Sequence, residues 1–237
     1  MVKKQIEALH RNGIHNINFD LIIGLPEQTL VTVNETLDKV LELQPARVAV
    51  FPYAHVPWMK KHQKLLEKYE MPETFLRYEM AKLTETRLKE EGYEAVGIDH
   101  FARPDDPLAD ALKNRKMRRN FQGYTDDPAR TILGFGLSSI SQFEEAYTQN
   151  TTDAPLYRKT VDNGEVPLAR VLTLTRDDQD RRKLIEELMC NFTINFADYK
   201  SIPVPRSALV LLEQDGLIEI AGSHLRVTEI EEHLYAL

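Results

Sequence analysis

Apolar residues in the first half of the chain recur in two alternating periods. Residues 3–12 carry a short helical pattern closed by Gly13, and residues 17–23 form an almost continuous apolar run interrupted only by Asp20. That run predicts a buried strand. Thr29 stands where an N-cap belongs, and Val33, Leu37, Val40 and Leu41 then share one face of a helix reaching Leu43, with Pro45 as its stop. Residues 47–51 (RVAVF) predict a second buried strand, which runs into Pro52-Tyr-Ala-His-Val-Pro57. A long helix follows over residues 72–91, with Leu76, Met80 and Leu83 facing inward and Gly92 closing it, and residues 94–98 predict a third strand. Strands alternating with helices of this length predict βαβ units and a parallel sheet. Functional groups in such sheets collect at the carboxyl ends of strands, and Asp20, residues 53–55 and residues 99–103 fall at or near such ends.

The tail has a different grain. Leu174-Thr-Arg-Asp-Asp178 caps a helix over residues 179–192 with Leu184, Ile185 and Leu188 on a narrow apolar face. A second helix is predicted over 207–214, a turn at Asp215-Gly216, and short strands over 217–220 and 225–228. Helix, helix and hairpin make a winged-helix-like pattern. A DNA-reading helix needs basic side chains, and residues 207–214 have none, so the role expected is structural. Loop signals at Asn150-Thr-Thr-Asp-Ala-Pro155 and Asp162-Asn-Gly164 place a boundary between a unit of residues 1–150 and a unit of residues 165–237. The expected class is α/β.

Composition narrows the function. The 237 residues carry a formal net charge of −7, which argues against a nucleic-acid binder relying on phosphate neutralisation. Basic clusters at 113–119 and 181–183 read as solvated helix faces. No apolar run approaches the roughly 18 residues of a membrane span, and the opening residues lack a signal-peptide pattern. The single cysteine excludes an internal disulfide framework and fits a reducing compartment, so a cytoplasmic protein is expected. Cys190, inside Leu188-Met-Cys-Asn-Phe192, reads as a core thiol.

The candidate chemistry is concentrated in Gly97-Ile-Asp-His-Phe-Ala-Arg-Pro-Asp-Asp106 and Arg119-Asn-Phe-Gln-Gly-Tyr-Thr125. Histidine, arginines, carboxylates, amides and aromatic rings packed together suit a pocket for a charged, partly aromatic small molecule. His100 alone reads more readily as a hydrogen-bonded structural residue; with Arg103, Arg119 and Gln122 nearby in sequence, a site role reads equally well. Arginines suit a polycarboxylate, because the guanidinium fork pairs bidentately with carboxylates. Asp20 in an apolar strand needs a partner if it is buried: a ribose diol and a helix N-terminus are the two natural choices. Leu133-Gly-Phe-Gly-Leu-Ser138 lacks the third glycine of a dinucleotide loop and reads as close backbone packing.

These words together resemble the oxygen-independent coproporphyrinogen III oxidases (coproporphyrinogen III dehydrogenases) of the radical SAM superfamily. The resemblance rests on Phe19-Asp-Leu-Ile-Ile-Gly-Leu-Pro26, Tyr53-Ala-His55, the two words just quoted, Gly134-Phe-Gly-Leu-Ser-Ser-Ile-Ser141, and Leu174-Thr-Arg-Asp-Asp178 with Cys190-Asn-Phe192. They run in family order over nearly the whole chain. Related haem-chaperone proteins carry a different word where Asp99-His-Phe-Ala102 stands.

The resemblance implies the C-terminal part of a partial βα (TIM-like) barrel, followed by the small winged-helix-like unit. It implies S-adenosyl-L-methionine as cofactor, with Asp20, Ala54 and Ile140 lining its site and Asp20 on the ribose hydroxyls. It implies coproporphyrinogen III as substrate, two of whose propionates become vinyl groups, and it makes His100, Arg103 and Arg119 candidates for contact with the substrate carboxylates. The family's C-x-x-x-C-x-x-C motif, which holds a [4Fe–4S] cluster in the complete enzyme, is not in these residues; no metal ligand and no catalytic residue is assigned here. The expectation is therefore a C-terminal half that is inactive alone, with an open apolar edge at 17–23 that leaves the isolated chain oligomeric, poorly soluble or dependent on a complementing N-terminal half. The alternative is a non-catalytic tetrapyrrole- or SAM-binding fragment or a truncated gene product.

Overall fold

The structure is a computed structural model that describes residues 2–203 and 206–228. Helix α1 (Val2–Arg11) leads to strand β1 (Asn18–Ile23), helix α2 (Leu30–Leu43) and strand β2 (Arg47–Pro52). β1 and β2 pair in parallel, with Phe19 opposite Val48 and Leu21 opposite Val50, and α2 is the crossover between them. Thr29 caps α2 as its sequence predicts: its hydroxyl accepts from Thr32 N–H while the Thr32 hydroxyl accepts from Thr29 N–H. Val33, Leu37 and Val40 of α2 are buried. Helix α3 (Thr74–Glu90) adds Met80 and Leu88, and with Val48, Val50 and Ile23 these form the main core.

Strand β3 (Glu94–Val96) is shorter than the predicted 94–98 and does not join the sheet by a parallel crossover. Strand β4 (His100–Ala102) folds back on it and inserts beside β2, giving the order β1-β2-β4-β3. Both β4 pairings are antiparallel, so the sheet is mixed. The cause is the tight turn at Gly97, whose φ of 63° lies in the left-handed region that favours glycine.

Helix α4 (Pro107–Lys113) is capped by Asp106, and a hairpin of β5 (Arg118–Asn120) and β6 (Gly123–Thr125) follows. Strands β7 (Ile140–Gln142) and β8 (Ala146–Asn150), then helix α5 (Ala154–Asp162) and strand β9 (Leu168–Thr173), build a three-stranded antiparallel sheet. The segment expected to separate two units thus carries α5, and the strands flanking it pair with each other. Helix α6 (Arg176–Asn191) starts three residues earlier than the predicted 179, because Thr175 and Asp178 form its capping box. Strand β10 (Thr193–Asn195), helix α7 (Arg206–Gln214) and strands β11 (Ile218–Ala221) and β12 (His224–Val227) complete the described chain. β10 joins the predicted hairpin as a third antiparallel strand, around Ile194, Ile218, Leu225 and Val227. Residues 204, 205 and 229–237 of the expected second unit lie outside the described residues.

β1 alternates rather than being buried on both sides. Phe19, Leu21 and Ile23 pack toward the core cluster, while Asn18, Asp20 and Ile22 are exposed on the opposite face. The expectation of a buried Asp20 is therefore corrected: period-two geometry turns it away from the helices. β1 is also an edge strand among the described residues.

Candidate functional site

Register sets which side chains share the bare face of the sheet. Asp20 stands beside Ala49, and Ala49 beside His100; Ile22 stands beside Phe51. Paired residues in a sheet point to the same side, so Asp20, Ile22, Phe51 and His100 lie on one surface, opposite α2 and α3. Toward β3 that surface is covered by α4, the β5–β6 hairpin and α6, through Val96, Ala102, Leu108, Met117, Tyr124 and Cys190. Toward β1 it is open: Ile22 is 48% exposed and Phe51 36%.

His100 sits at the border between the covered and open parts. Its Nδ1 is 2.6 Å from Asp99 Oδ1. Its ring lies edge-on to Phe51 at 6.2 Å and to Tyr124 at 5.4 Å, and Gly123 leaves room for it. Tyr124 fixes this corner. Its hydroxyl accepts from Ile98 N–H at 3.1 Å and donates to the Met189 carbonyl at 2.9 Å, tying the turn after β3 to α6. Burial pushes the Tyr124 phenol above its ordinary range, partly offset by the Ile98 N–H and by Arg119. The Arg119 guanidinium lies over the Tyr124 ring, 4.6 Å from its centroid. Arg119 Nη1 is buried without a hydrogen-bond partner among the described residues.

The expected residues divide accordingly. His100 and Arg119 are brought together through Tyr124. Arg103 is not: its N–H bonds to the Ala46 carbonyl at the start of β2, whereas Asp99 accepts from Val50 N–H near the strand's end. The antiparallel turn of β4 carries Arg103 to the opposite, amino end of the sheet, where its nearest acid is Asp105 at 3.7 Å. That corrects its placement beside His100. Asp20 is exposed, with Oδ1 accepting from the Asn18 amide at 2.6 Å. Ala54 is exposed just past β2, its carbonyl held by the Gln63 amide at 3.0 Å. On either side of it, Tyr53 Oη and His55 Nδ1 are buried without a hydrogen-bond partner among the described residues. Ile140 opens β7, in a different sheet from Asp20; an added Cβ at Gly134 would lie 2.6 Å from its carbonyl oxygen, so close backbone packing holds at Gly134, whereas Gly136 has open space around it and Phe135 is exposed.

In the two basic clusters Lys113, Arg115, Lys116, Arg181 and Lys183 are exposed as expected, and two arginines depart from it. Arg118 lies on a strand, bonded to Glu186 at 2.9 Å and to the Pro128 and Ala129 carbonyls. Arg182 donates to the Phe143 and Glu144 carbonyls. Both are structural fasteners of α6 rather than solvated faces. Cys190 is 1% exposed, and burial pushes its thiol up to about 12. Among the described residues no cluster of histidine, cysteine and carboxylate side chains could hold a metal ion. Gly97 and Tyr124 have no role that periodicity predicts; the lone glycine before Ile98-Asp99-His100 is the one local signal of their contact.

No family model matches the chain. Among curated proteins, it is 44% identical over 234 residues to the anaerobic coproporphyrinogen III oxidase 1 of Cereibacter sphaeroides, covering 92% of this chain and 52% of the relative. It is 39% identical over 230 residues to the oxygen-independent coproporphyrinogen III oxidase of Bradyrhizobium diazoefficiens, covering 94% and 51%. Among solved structures, the coproporphyrinogen III oxidase HemN of Escherichia coli, described as a radical SAM enzyme, superposes with a TM-score of 0.87 at 34% identity, over 99% of this chain and 57% of that one. The chain spans about half the length of the curated relatives it matches. Over that half, the chain belongs to the oxygen-independent coproporphyrinogen III oxidase family.

Proposed function

We propose that this chain supplies the ligand-facing half of an oxygen-independent coproporphyrinogen III oxidase, with its half-sheet as the end of a partial βα barrel. Residues 1–150, with β9 completing their β7–β8 sheet, carry the ligand surfaces, and the segment from α6 to β12 forms the winged-helix-like unit. The observation that carries the reading is the open face on which Asp20, Ile22, Phe51 and His100 stand in register. The relatives named above are coproporphyrinogen III oxidases, and Tyr124, which packs against His100, carries Arg119 with its buried, unpaired Nη1 over its ring.

The residues fit the two groups that the family implies. Asp20 presents a solvent-facing carboxylate, a suitable acceptor for a vicinal diol such as the ribose of S-adenosyl-L-methionine. Ala54 stands between Tyr53 and His55, whose Oη and Nδ1 are buried without a hydrogen-bond partner among the described residues, and Ile140 is assigned to the same site by the family resemblance alone. When bound, the cofactor supplies hydrogen-abstracting radical chemistry, given an electron from a [4Fe–4S] cluster whose thiolates this one-cysteine sequence does not contain. Arg119 holds a substrate carboxylate through its free Nη1, a charge-assisted bond strengthened by partial burial. Asp99 orients the His100 ring through Nδ1, with the Nε2 edge beside Gly123 of the β5–β6 hairpin. Arg103, at the far end of the sheet, takes no part.

Coproporphyrin III, the oxidised and stable tetracarboxylate, is the probe. Fluorescence titration of the chain is expected to show saturable binding that Arg119→Met weakens roughly tenfold and Arg103→Met leaves unchanged. Equal affinity in the Arg119 and Arg103 variants overturns the assignment.

A further inference from the structure

Between β2 and α3, the chain holds apolar side chains outward that neither the core nor the ligand face uses. Trp58 is 73% exposed, Met59 72% and Leu65 72%. The segment carrying them is fastened. The Gln63 side chain accepts from Val56 N–H at 2.7 Å and donates to the Ala54 carbonyl at 3.0 Å. Met59 and Lys60 N–H both donate to the Val56 carbonyl, and Gln63 N–H donates to the Lys60 carbonyl. A short 3₁₀ turn, Lys61–Leu66, follows. A built loop that keeps tryptophan, methionine and leucine in water has an unfavourable hydration term that a covering surface removes.

The charge around these side chains indicates which surface. Lys60, Lys61, Lys64 and Lys68 are all exposed, and the single acid among residues 58–68, Glu67, faces His55 at 3.7 Å. The chain as a whole carries −7, so this cationic stretch runs against its overall charge. Lysine is depleted from the cores of protein–protein interfaces. Tryptophan at the headgroup level with lysines beside it is the composition of an interfacial membrane contact. No helix of the described residues is long and apolar enough to cross a membrane, so the contact is peripheral. We infer that residues 58–68 dock on an anionic lipid surface, with Trp58, Met59 and Leu65 entering the interface and the lysines pairing with headgroups. The proposal is independent of the ligand assignment above.

Trp58 is the one tryptophan of the sequence, so its emission reports directly on the loop. The full chain is mixed with phosphatidylcholine vesicles, with and without phosphatidylglycerol. The expected result is a blue shift and protection from acrylamide with the anionic vesicles alone, reversed by salt. Lys60→Glu, Lys61→Glu and Lys64→Glu together should weaken binding at least about tenfold, and Met59→Ser should weaken co-sedimentation without changing the circular dichroism spectrum. No shift with anionic vesicles, or an equal shift with pure phosphatidylcholine, overturns the proposal. Emission already blue and shielded without vesicles, rising with protein concentration, overturns it in favour of a second copy of the chain. The same blue emission in a protein of the relatives' full length overturns it in favour of cover by the remaining polypeptide.

Discussion

Tyr124 fills the space that a side chain on Gly97 would need: a Cβ built there would lie 2.1 Å from the Tyr124 Cζ. The glycine is required twice, for this contact and for its φ of 63°. Through the same ring, the β3–β4 turn is held against α6 and the His100–Arg119 corner is set. Gly97→Ala should therefore cost about 3 kcal/mol, from backbone strain and overpacking. At roughly 2–4 °C per kcal/mol for a chain of this size, the thermal midpoint falls by about 6–12 °C. A shift within experimental error would show that the turn relaxes freely.

Asp106 is 5% exposed and serves two partners. It caps α4 through Leu108 N–H at 2.7 Å, and it accepts from Arg47 Nε at 2.8 Å on both oxygens. Asp106→Ala removes the cap and strands a partly buried guanidinium, a loss of about 3 kcal/mol or more. Asp106→Asn keeps an acceptor for the cap and should lose less. Urea denaturation of the two variants checks the order, and equal losses would mean that the cap contributes nothing beyond the ion pair.

Cys190 should be chemically silent in the folded chain. It is buried, and its thiol is raised from 9.0 to about 12 by burial and by Glu186. Ellman's reagent at neutral pH is expected to react only after denaturation. Linkage sets the sign of the alkaline limb: a folded-state pKa above the unfolded one gives stability that is complete below pH 9 and is lost as pH rises toward about 12. Tyr124, whose phenol burial also raises, adds to the loss above its ordinary value of 10.0. Cys190→Ala should flatten the first part of that limb, as read from midpoints between pH 8 and 11; an unchanged slope would assign it elsewhere.

Much of the fold was legible because local rules were obeyed. Thr29 caps α2, Val33, Leu37 and Val40 face inward, and the parallel pairing of β1 with β2 follows from an apolar strand–helix–strand pattern. Two things were not. The antiparallel return of β4 depends on Gly97 meeting Tyr124, residues 27 positions apart in the chain, and no periodicity encodes such a contact. Asp20 looked buried because Leu21, Ile22 and Ile23 make the strand apolar; only the cover on each face decides exposure, and Ile22 proves exposed with it. For the candidate site, composition grouped His100, Arg103 and Arg119; the fold brings His100 and Arg119 to one corner through Tyr124, and three residues of antiparallel strand carry Arg103 to the other end of the sheet.

Radical chemistry should need polypeptide beyond these residues. With one cysteine, the chain does not supply three cluster thiolates. Anaerobic reconstitution of the purified chain with iron, sulfide, S-adenosyl-L-methionine and a strong reductant is expected to yield no 5′-deoxyadenosine. Its formation by this polypeptide alone would contradict the assignment of the cluster to another part of the enzyme.

The central claim is that the open sheet face, through Asp20, holds the cofactor's ribose. Asp20 is exposed and bonded only to the exposed Asn18 among the described residues, so Asp20→Ala should leave the thermal midpoint within about 1 °C, as surface substitutions do. Losing charge-assisted bonds to a diol should at the same time weaken S-adenosyl-L-methionine binding roughly tenfold or more. Calorimetric titration of wild type and variant, each beside its melting curve, measures both at once. An unchanged affinity, or a midpoint that falls while affinity holds, would contradict the account.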